Sequence, residues 1–259
     1  MIVKIVVKRS LSTHRIALLF LVVVLSPWLN TSATASEVKS SSVKSRTAGC
    51  AGNIAQAYLY YSPDKKKPNK KEEDLLPAVV LLQGAGDRAE NMVAAWKHIA
   101  EKERIILLAP ELPRDPKFED AAPRIFRCVV EDARQVLAID AQRVYLFGNS
   151  MGGYLAFDGA MFESQYFAAV AVHASRIADD YTGIVARARR KTPIAIYIGD
   201  HDQFFSVASV RQTRDLLLES GFPIHYVELA NHDHNYYARA DEINSDAWKF
   251  LKANILPPS

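Results

Sequence analysis

The chain has 259 residues, of which 49% are hydrophobic and 24% are charged. These proportions are typical of a globular protein and exclude wholesale disorder, and 11 glycines with 12 prolines exclude a collagen-like chain. The formal charge of +3 arises at the N-terminus, since the first 35 residues contain four basic side chains and no acidic one. Without this segment, 32 minus four leaves 28 basic side chains against 29 acidic ones. The rest of the chain therefore lacks the excess of positive charge that is typical of nucleic-acid-binding proteins.

Residues 1–35 have the pattern of a signal peptide. A basic stretch precedes an apolar run at residues 16–29, which is shorter than the roughly 20 residues that a bilayer span requires. Ala33 and Ala35 supply small side chains at the −3 and −1 positions of a cleavage site before Ser36. The sequence therefore predicts a secreted or periplasmic protein with no stable membrane span after cleavage; an uncleaved N-terminal anchor is the alternative.

The sequence after residue 35 predicts a flexible lead-in over residues 36–52 and one domain over residues 53–259. In this domain apolar runs of strand length alternate with helical patterns, which predicts a doubly wound, mainly parallel α/β sheet with helices on both faces. The expected strands are 55–61, 78–83, 105–109, 144–147, 168–172, 194–198 and 225–229, and the expected helices are 90–102, 122–139, 151–162, 207–220 and 242–253. Residues 63–74 predict a hairpin loop between the first two strands. No insertion is long enough to form a separate lid domain.

The segment Gly148-Asn149-Ser150-Met151-Gly152 lies between a predicted strand and a predicted helix. A G-x-S-x-G motif in this setting is typical of a nucleophile elbow, in which a serine occupies a strained turn. Glycine is needed two residues either side of the serine because larger side chains would collide with the neighbouring strand and helix. We therefore expect Ser150 to be a nucleophile.

A serine hydroxyl is a weak nucleophile and needs a histidine base that a carboxylate orients. Candidates for both follow the last two predicted strands, at the sheet edge where doubly wound sheets carry their sites. Asp202 fits the acid turn better than Asp200, and the loop spacing favours His234 over His232 as the base. Both choices remain open at this point.

The side chains at 200–202 and 232–234 (Asp-His-Asp and His-Asp-His) also resemble a metal site, because imidazoles and carboxylates bind zinc. A catalytic triad would already use two of these six side chains, and no Cys or Glu joins them. We therefore expect no metal ion and no cofactor.

The two cysteines, Cys50 and Cys128, are too few for a disulfide scaffold or a thiolate zinc site. An oxidising compartment would allow them to pair. The sequence gives no distance between them, so a bridge and two free thiols are both open.

With these motifs in place, nearly the whole mature region resembles the α/β-hydrolase superfamily. Residues 79–86 (VVLLQGAG) are similar to its oxyanion-hole strand and turn, residues 148–153 to its elbow, and residues 199–202 to its acid turn. The lidless core and the elbow look most like bacterial carboxylesterases and the esterases related to polyhydroxybutyrate depolymerases and feruloyl esterases.

The resemblance implies that the backbone N–H groups of Ala85 and Met151 form the oxyanion hole. It also shows one departure, because the family usually has a histidine where this chain has Gln83. Backbone donors need no particular side chain, so the departure affects the shape of the turn more than the donors themselves.

The function expected from the sequence is an exported serine hydrolase that cleaves carboxylic esters through an acyl-enzyme on Ser150. Its partner would be a small-molecule or polymeric ester, with no nucleic acid involved. The alternatives are a serine peptidase of the prolyl-oligopeptidase-like type and a non-catalytic binding protein on a hydrolase scaffold.

Overall fold

The computed structural model describes residues 42–52, 54–63, 75–113, 116–177 and 182–257. The predicted signal peptide lies outside these residues, and so does most of the charged tract at 63–74. Within the part of the chain that is described, no helix combines the length and the apolar character that a membrane span requires.

The described residues form strands and helices that alternate along most of the chain. The strands are β1 (Lys44–Cys50), β2 (Ile54–Tyr61), β3 (Leu76–Leu82), β4 (Ile106–Pro110), β5 (Ile139–Asn149), β6 (Ala169–His173), β7 (Ile194–Gly199) and β8 (Ile224–Leu229). The helices are α1 (Ala89–Glu103), α2 (Pro116–Ala133), α3 (Met151–Phe162), α4 (Thr182–Arg187), α5 (Val207–Glu219) and α6 (Ala240–Lys252), with a 3₁₀-helix at Tyr236–Arg239.

The strands form one sheet in the order β1-β2-β4-β3-β5-β6-β7-β8. Pairing is antiparallel between β1 and β2 and between β2 and β4, and it is parallel from β4 through β8. The predicted doubly wound, mainly parallel sheet is therefore confirmed.

The two faces of the sheet carry separate apolar cores. Along β3, Val79 and Leu81 point to the face that α1 and α6 cover, whereas Val80 and Leu82 point to the face that α2, α3 and α5 cover. Because both faces are buried, the central strands consist almost entirely of apolar residues, as a parallel sheet requires.

The flexible lead-in expected over residues 36–52 is wrong for its second half, where Lys44–Cys50 forms the edge strand β1. Local sequence does not favour this strand; contacts with α2 hold it. Arg46 donates two hydrogen bonds to the Asp132 carboxylate at 2.9 and 3.1 Å. A disulfide then joins Cys50 to Cys128, with the two Cα atoms 5.8 Å apart.

The hairpin expected at residues 63–74 is also wrong, because β2 pairs with β4 and not with β3. The tract therefore connects two strands that are not neighbours.

The helix expected over 122–139 lies instead at Pro116–Ala133, with Pro123 inside it. It ends earlier than expected because Ile139 is the first residue of β5, where it pairs with Leu76.

The order of the strands reverses beside β3. From β3 the chain passes outward to β4 and then crosses to β5 on the other side of β3. Ligands of doubly wound sheets bind at such a reversal, outside the carboxyl ends of the strands. Here Leu82 of β3 pairs with Gly148 of β5, so the turn after β3 lies next to the segment that carries Ser150.

Candidate active site

Ser150 lies in the turn between β5 and α3 with φ +53° and ψ −116°, a backbone conformation that non-glycine residues rarely adopt. Two glycines make the turn possible. A Cβ at position 148 would lie 2.1 Å from the carbonyl oxygen of Gly152, and a Cβ at position 152 would lie 2.1 Å from that of Leu82. The backbone N–H of Ser150 donates to the carbonyl of His173 at 2.9 Å, which fixes the turn against β6.

The structure brings three of the predicted side chains together. The Ser150 Oγ lies 2.9 Å from Nε2 of His234, and Nδ1 of the same ring lies 2.7 Å from Oδ2 of Asp202. The hydroxyl can thus donate to the neutral imidazole, whose other N–H donates to the carboxylate. This is the nucleophile–base–acid geometry of a serine hydrolase.

Asp202 is held firmly at the end of β7. Its side chain is fully buried, and its Oδ1 accepts the backbone N–H groups of Phe204 and Phe205 at 2.8 and 2.9 Å. The remaining oxygen is directed at His234. A carboxylate with this many donors is restrained to one orientation, and so it restrains the histidine ring as well.

The two alternatives from the sequence occupy other places. The Asp200 carboxylate accepts the backbone N–H of His232 at 3.3 Å. The His232 ring is buried beneath the triad, with its Nε2 3.0 Å from Nε2 of His173. Neither of these contacts involves Ser150, so geometry favours Asp202 and His234 for the roles that the sequence left open.

The expected oxyanion donors belong to two adjoining segments. Residues 84–87 form a turn in which Asp87 N–H donates to the Gly84 carbonyl at 3.2 Å. Gly84 is close to the nucleophile, since a Cβ built there would lie 3.5 Å from the Ser150 Cβ. Met151 is the first residue of α3, where a backbone N–H has no acceptor within the helix and the helix dipole favours negative charge. Both segments therefore flank the Ser150 hydroxyl.

Gln83 replaces the histidine that the superfamily usually has before this turn. Its side chain is 5% exposed. With the amide oriented to satisfy both ends, it donates to the Pro110 carbonyl at 3.3 Å and accepts the Leu112 N–H at 3.2 Å. The glutamine therefore ties the oxyanion turn to the chain just after β4.

A hydrogen bond that the sequence analysis missed joins the oxyanion turn to the histidine loop. The Tyr237 hydroxyl donates to Oδ2 of Asp87, and Oδ1 of the same carboxylate accepts from Asn91 at 2.7 Å. Burial, followed by the hydrogen bond to Asp87, raises the pKa of Tyr237 well above its ordinary value. The hydroxyl is therefore protonated at neutral pH and can act as this donor.

A cavity of about 270 Å³ opens beside the nucleophile. In addition to Ser150 it is lined by Met151, Tyr154, Leu155, Ser175, Arg176 and Phe205. A larger depression of about 710 Å³ lies against α1 and α6, but neither Ser150 nor His234 lines it. The smaller cavity is thus the one that a substrate bonded to Ser150 can enter.

His173, at the end of β6, is a buried titratable group that contacts the elbow through its backbone carbonyl and that the triad does not use. Burial, and to a lesser extent the neighbouring His232 and His234, lowers the pKa of His173 to about 3. Burial also lowers the pKa of His232. Both rings are therefore neutral at physiological pH.

Three of the six side chains considered for a metal ion are hydrogen-bonded to other groups. Asp202 and His234 bind each other, and His232 binds His173. Among the described residues, no three His, Cys, Asp or Glu side chains are grouped in an arrangement that could hold a metal ion.

Sequence reasoning missed the hydrogen bonds of Asn149 and Tyr237, and it could not name the partners of His173. Asn149 and His173 end two paired strands, so a strand-end signal was present for each. Their partners lie 24 to 150 residues away in the chain, and only the assembled sheet brings them together.

The sequence model of the dienelactone hydrolase family matches residues 111–254, which is more than half of the chain. The matched segment contains the elbow, the acid turn and the histidine loop. No curated protein matches the chain in sequence.

Several solved structures share the fold. A thermostable esterase superposes with a TM-score of 0.64 at 20% identity over 82% of this chain and 63% of that one, so this chain spans less than two thirds of its length. Esterase 2 of Thermogutta terrifontis, phosphorylated by paraoxon, gives 0.65 at 16% identity over 84% and 96%. The fluorophosphonate-binding serine hydrolase F of Staphylococcus aureus gives 0.67 at 13% identity over 82% and 98%.

Identities this low establish the shared fold and nothing finer. The superpositions confirm the α/β-hydrolase fold that the motifs predicted. The family match independently confirms that a hydrolase was the right class of protein to expect.

Proposed function

The chain belongs to the dienelactone hydrolase family, and we propose that it is an exported serine hydrolase that cleaves carboxylic esters through an acyl-enzyme on Ser150. One observation carries the proposal. The Ser150 Oγ lies 2.9 Å from a histidine nitrogen whose ring is bonded at 2.7 Å to a buried carboxylate. A non-catalytic binding protein would have no use for all three side chains in this order.

In the acylation step the Ser150 Oγ attacks the ester carbonyl carbon while Nε2 of His234 takes the hydroxyl proton. The carbonyl oxygen becomes an oxyanion, and the N–H groups of Ala85 and Met151 donate to it. Asp202 stabilises the imidazolium that has formed. Collapse of the tetrahedral intermediate breaks the bond to the alcohol oxygen, which leaves with the proton that His234 returns.

Deacylation repeats the sequence with water. His234 takes a proton from a water molecule, whose oxygen attacks the acyl carbon bonded to Ser150. The second tetrahedral intermediate expels the Ser150 oxygen, which recovers its proton from His234. The products are a carboxylic acid and an alcohol, and the enzyme returns to its starting state.

The cavity beside Ser150 supports a substrate with one compact, mainly apolar group next to the scissile bond. Leu155, Tyr154 and Phe205 are among the residues that line it, together with Arg176. Phe204 lies outside, 69% exposed, with its ring centroid 4.6 Å from that of His234. An open rim of this kind suits either a small ester or the end of a polymer.

A substrate panel tests the proposal. We expect hydrolysis of p-nitrophenyl esters with short acyl chains and no turnover of matched peptide p-nitroanilides. Ser150→Ala and His234→Ala should each reduce kcat by about 10⁴-fold or more, because the members of a triad act as a unit. Cleavage of the anilides alone would support a peptidase, and no hydrolysis of any compound by the folded wild type would support a binding protein.

Export forms the second part of the proposal. The disulfide between Cys50 and Cys128 supports it, because such bonds persist in oxidising compartments. After expression of the full chain in a bacterium, we expect periplasmic or secreted protein whose N-terminal residue is Ser36. Recovery of cell-associated protein that begins at Met1 would contradict cleavage.

A further inference from the structure

Two histidines outside the triad form a hydrogen-bonded pair beneath it. His173 is fully buried and His232 is 2% exposed, and their Nε2 atoms lie 3.0 Å apart. On its other side the His173 ring bonds through Nδ1 to Oδ1 of Asn149 at 2.8 Å. The ester mechanism uses neither ring, although buried polar groups of this kind are costly unless they are fully partnered.

The hydrogen bonds fix where the protons are. The Asn149 Oδ1 can only accept, so His173 carries its proton on Nδ1 and presents a bare Nε2. His232 must then donate from its own Nε2 across the 3.0 Å contact. Only neutral rings satisfy this arrangement of protons. A proton on Nε2 of His173 would face the N–H of His232, and a second proton on His232 would leave a buried cation.

The pair joins the segments that carry the nucleophile and the base. Asn149 directly precedes Ser150, and the His173 carbonyl accepts the Ser150 N–H at 2.9 Å. His232 is two residues before His234, and its carbonyl accepts the N–H of His201 at 2.9 Å. The contact between the His173 and His232 rings therefore connects the ends of β5 and β6 to the loop after β8.

We propose that His173 and His232 are positioning residues, whose proton-ordered contact sets the place of the Ser150 elbow relative to the loop of His234. The proposal rests on the proposed function for its kinetic consequence, but the proton order can be measured without any substrate. A displacement of about 1 Å between a nucleophile and its base is enough to slow the chemical step by about 100-fold. The two histidines lie between the Ser150 elbow and the loop of His234, where such a displacement would arise.

The first test is a two-bond ¹⁵N–¹H correlation spectrum of the wild-type protein labelled with ¹⁵N-histidine. Spectra of His173→Gln and His232→Gln assign the two rings. We expect both rings to be neutral at about pH 7, with His173 as the Nδ1–H tautomer and His232 as the Nε2–H tautomer, and we expect His173 to stay neutral down to about pH 5. Reversed tautomers at about pH 7, or a cationic His173 ring at about pH 6, would overturn the proposal.

The second test measures kcat per active site, counted by titration with a fluorophosphonate. His232→Leu removes the donor to His173, and we expect its kcat to fall by about 10- to 100-fold with little change in KM. In His232→Gln the amide N–H replaces the donor, so kcat should recover to within a few-fold of the wild type. His98→Ala, which changes an exposed histidine of α1, is the matched control and should retain the wild-type kcat.

The outcomes separate this inference from the proposed function. If the wild type hydrolyses no ester, or Ser150→Ala still does, the proposed function fails whatever the spectra show. If the wild type is active and Ser150→Ala is not, but His232→Leu and His232→Gln both match the wild type per titrated site, the positioning role is wrong. Equal losses in the leucine and glutamine variants would also contradict it, since the donor would then be irrelevant.

Discussion

At the residue scale the site depends on a serine held in an unfavourable conformation. Backbone strain at Ser150 costs of the order of 1–3 kcal/mol and persists because the surroundings impose it. Gly148 and Gly152 allow the close approach of β5, α3 and β3, and the His173 carbonyl holds the Ser150 N–H. This conformation directs the hydroxyl from the edge of the sheet toward His234. Without a histidine base, a serine is a poor nucleophile.

The bond between Tyr237 and Asp87 leads to a prediction at this scale. Tyr237→Phe removes the donor that joins the oxyanion turn to the histidine loop. We expect kcat on a p-nitrophenyl ester to fall by about 5- to 10-fold with KM nearly unchanged, as for the loss of one hydrogen bond that is partly exposed to solvent. Tyr166→Phe is the control, since it removes a similar bond to Glu131 beyond the other end of α3. Equal kcat values for the two variants would contradict a role of Tyr237 in holding the turn.

Some of these residues could be found from sequence and others could not. Ser150 lies within a five-residue motif whose glycines have a steric cause, so the sequence alone predicts its place in the strained turn. Asp202 and His234 follow strand ends, but choosing them over Asp200 and His232 required the distances to Ser150 and to each other. His173 lies at a strand end, but the sequence does not reveal its partner, since His232 is 59 residues further along the chain.

At the element scale the central strands follow directly from composition. The strands β3, β6 and β7 are buried along their whole length, and their apolar runs predicted them closely. The edge strand β1 has mostly exposed side chains, so its composition resembles a linker. Its pairing depends on contacts with α2 that the sequence does not reveal.

The disulfide between β1 and α2 gives a prediction for this element. It closes a loop of 78 residues, and a bridge of this kind typically contributes about 2–4 kcal/mol to the free energy of unfolding. We expect the Cys50→Ala/Cys128→Ala double variant to lose about that much in urea denaturation while keeping its esterase activity at 25 °C, because neither cysteine lines the site. Unchanged stability, or two free thiols in the unreduced wild type, would contradict the assignment.

At the scale of the whole molecule, the doubly wound sheet assembles the site. The order reversal beside β3 brings the turn after β3 next to the end of β5, and β7 and β8 deliver Asp202 and His234 to the same edge. The alternation of strands and helices predicted the mainly parallel sheet and placed the acid and histidine segments at the carboxyl ends of its strands. It did not predict that β2 pairs with β4, because the strand order depends on packing between segments that are distant in sequence.

The buried histidines predict how stability depends on pH. In the folded protein the pKa of His173 is about 3, chiefly because of burial and also because of His232 and His234, whereas an unfolded histidine titrates near 6.5. The unfolded state therefore binds more protons between these values, and the free energy of unfolding should fall as the pH falls below about 6.5.

The slope of the free energy of unfolding against pH tests whether His173 is the responsible group. We expect His173 to contribute about 1.4 kcal/mol per pH unit between about pH 6 and pH 4, and no slope above about pH 7.5. Urea denaturation of the wild type and of His173→Gln at a series of pH values measures this contribution as the difference between the two slopes. Identical slopes would mean that His173 has the same pKa in the folded and unfolded states, contrary to its burial.

The most direct test of the central claim is to find the atom that reacts. Wild-type protein treated with a fluorophosphonate should gain the mass of one phosphonyl group, and peptide mapping should place it on Ser150. Ser150→Ala should gain no mass, whereas Ser209→Ala, which changes a serine on the first turn of α5, should react like the wild type. A phosphonyl group on any other residue, or labelling that persists in Ser150→Ala, would contradict the assignment of Ser150 as the nucleophile.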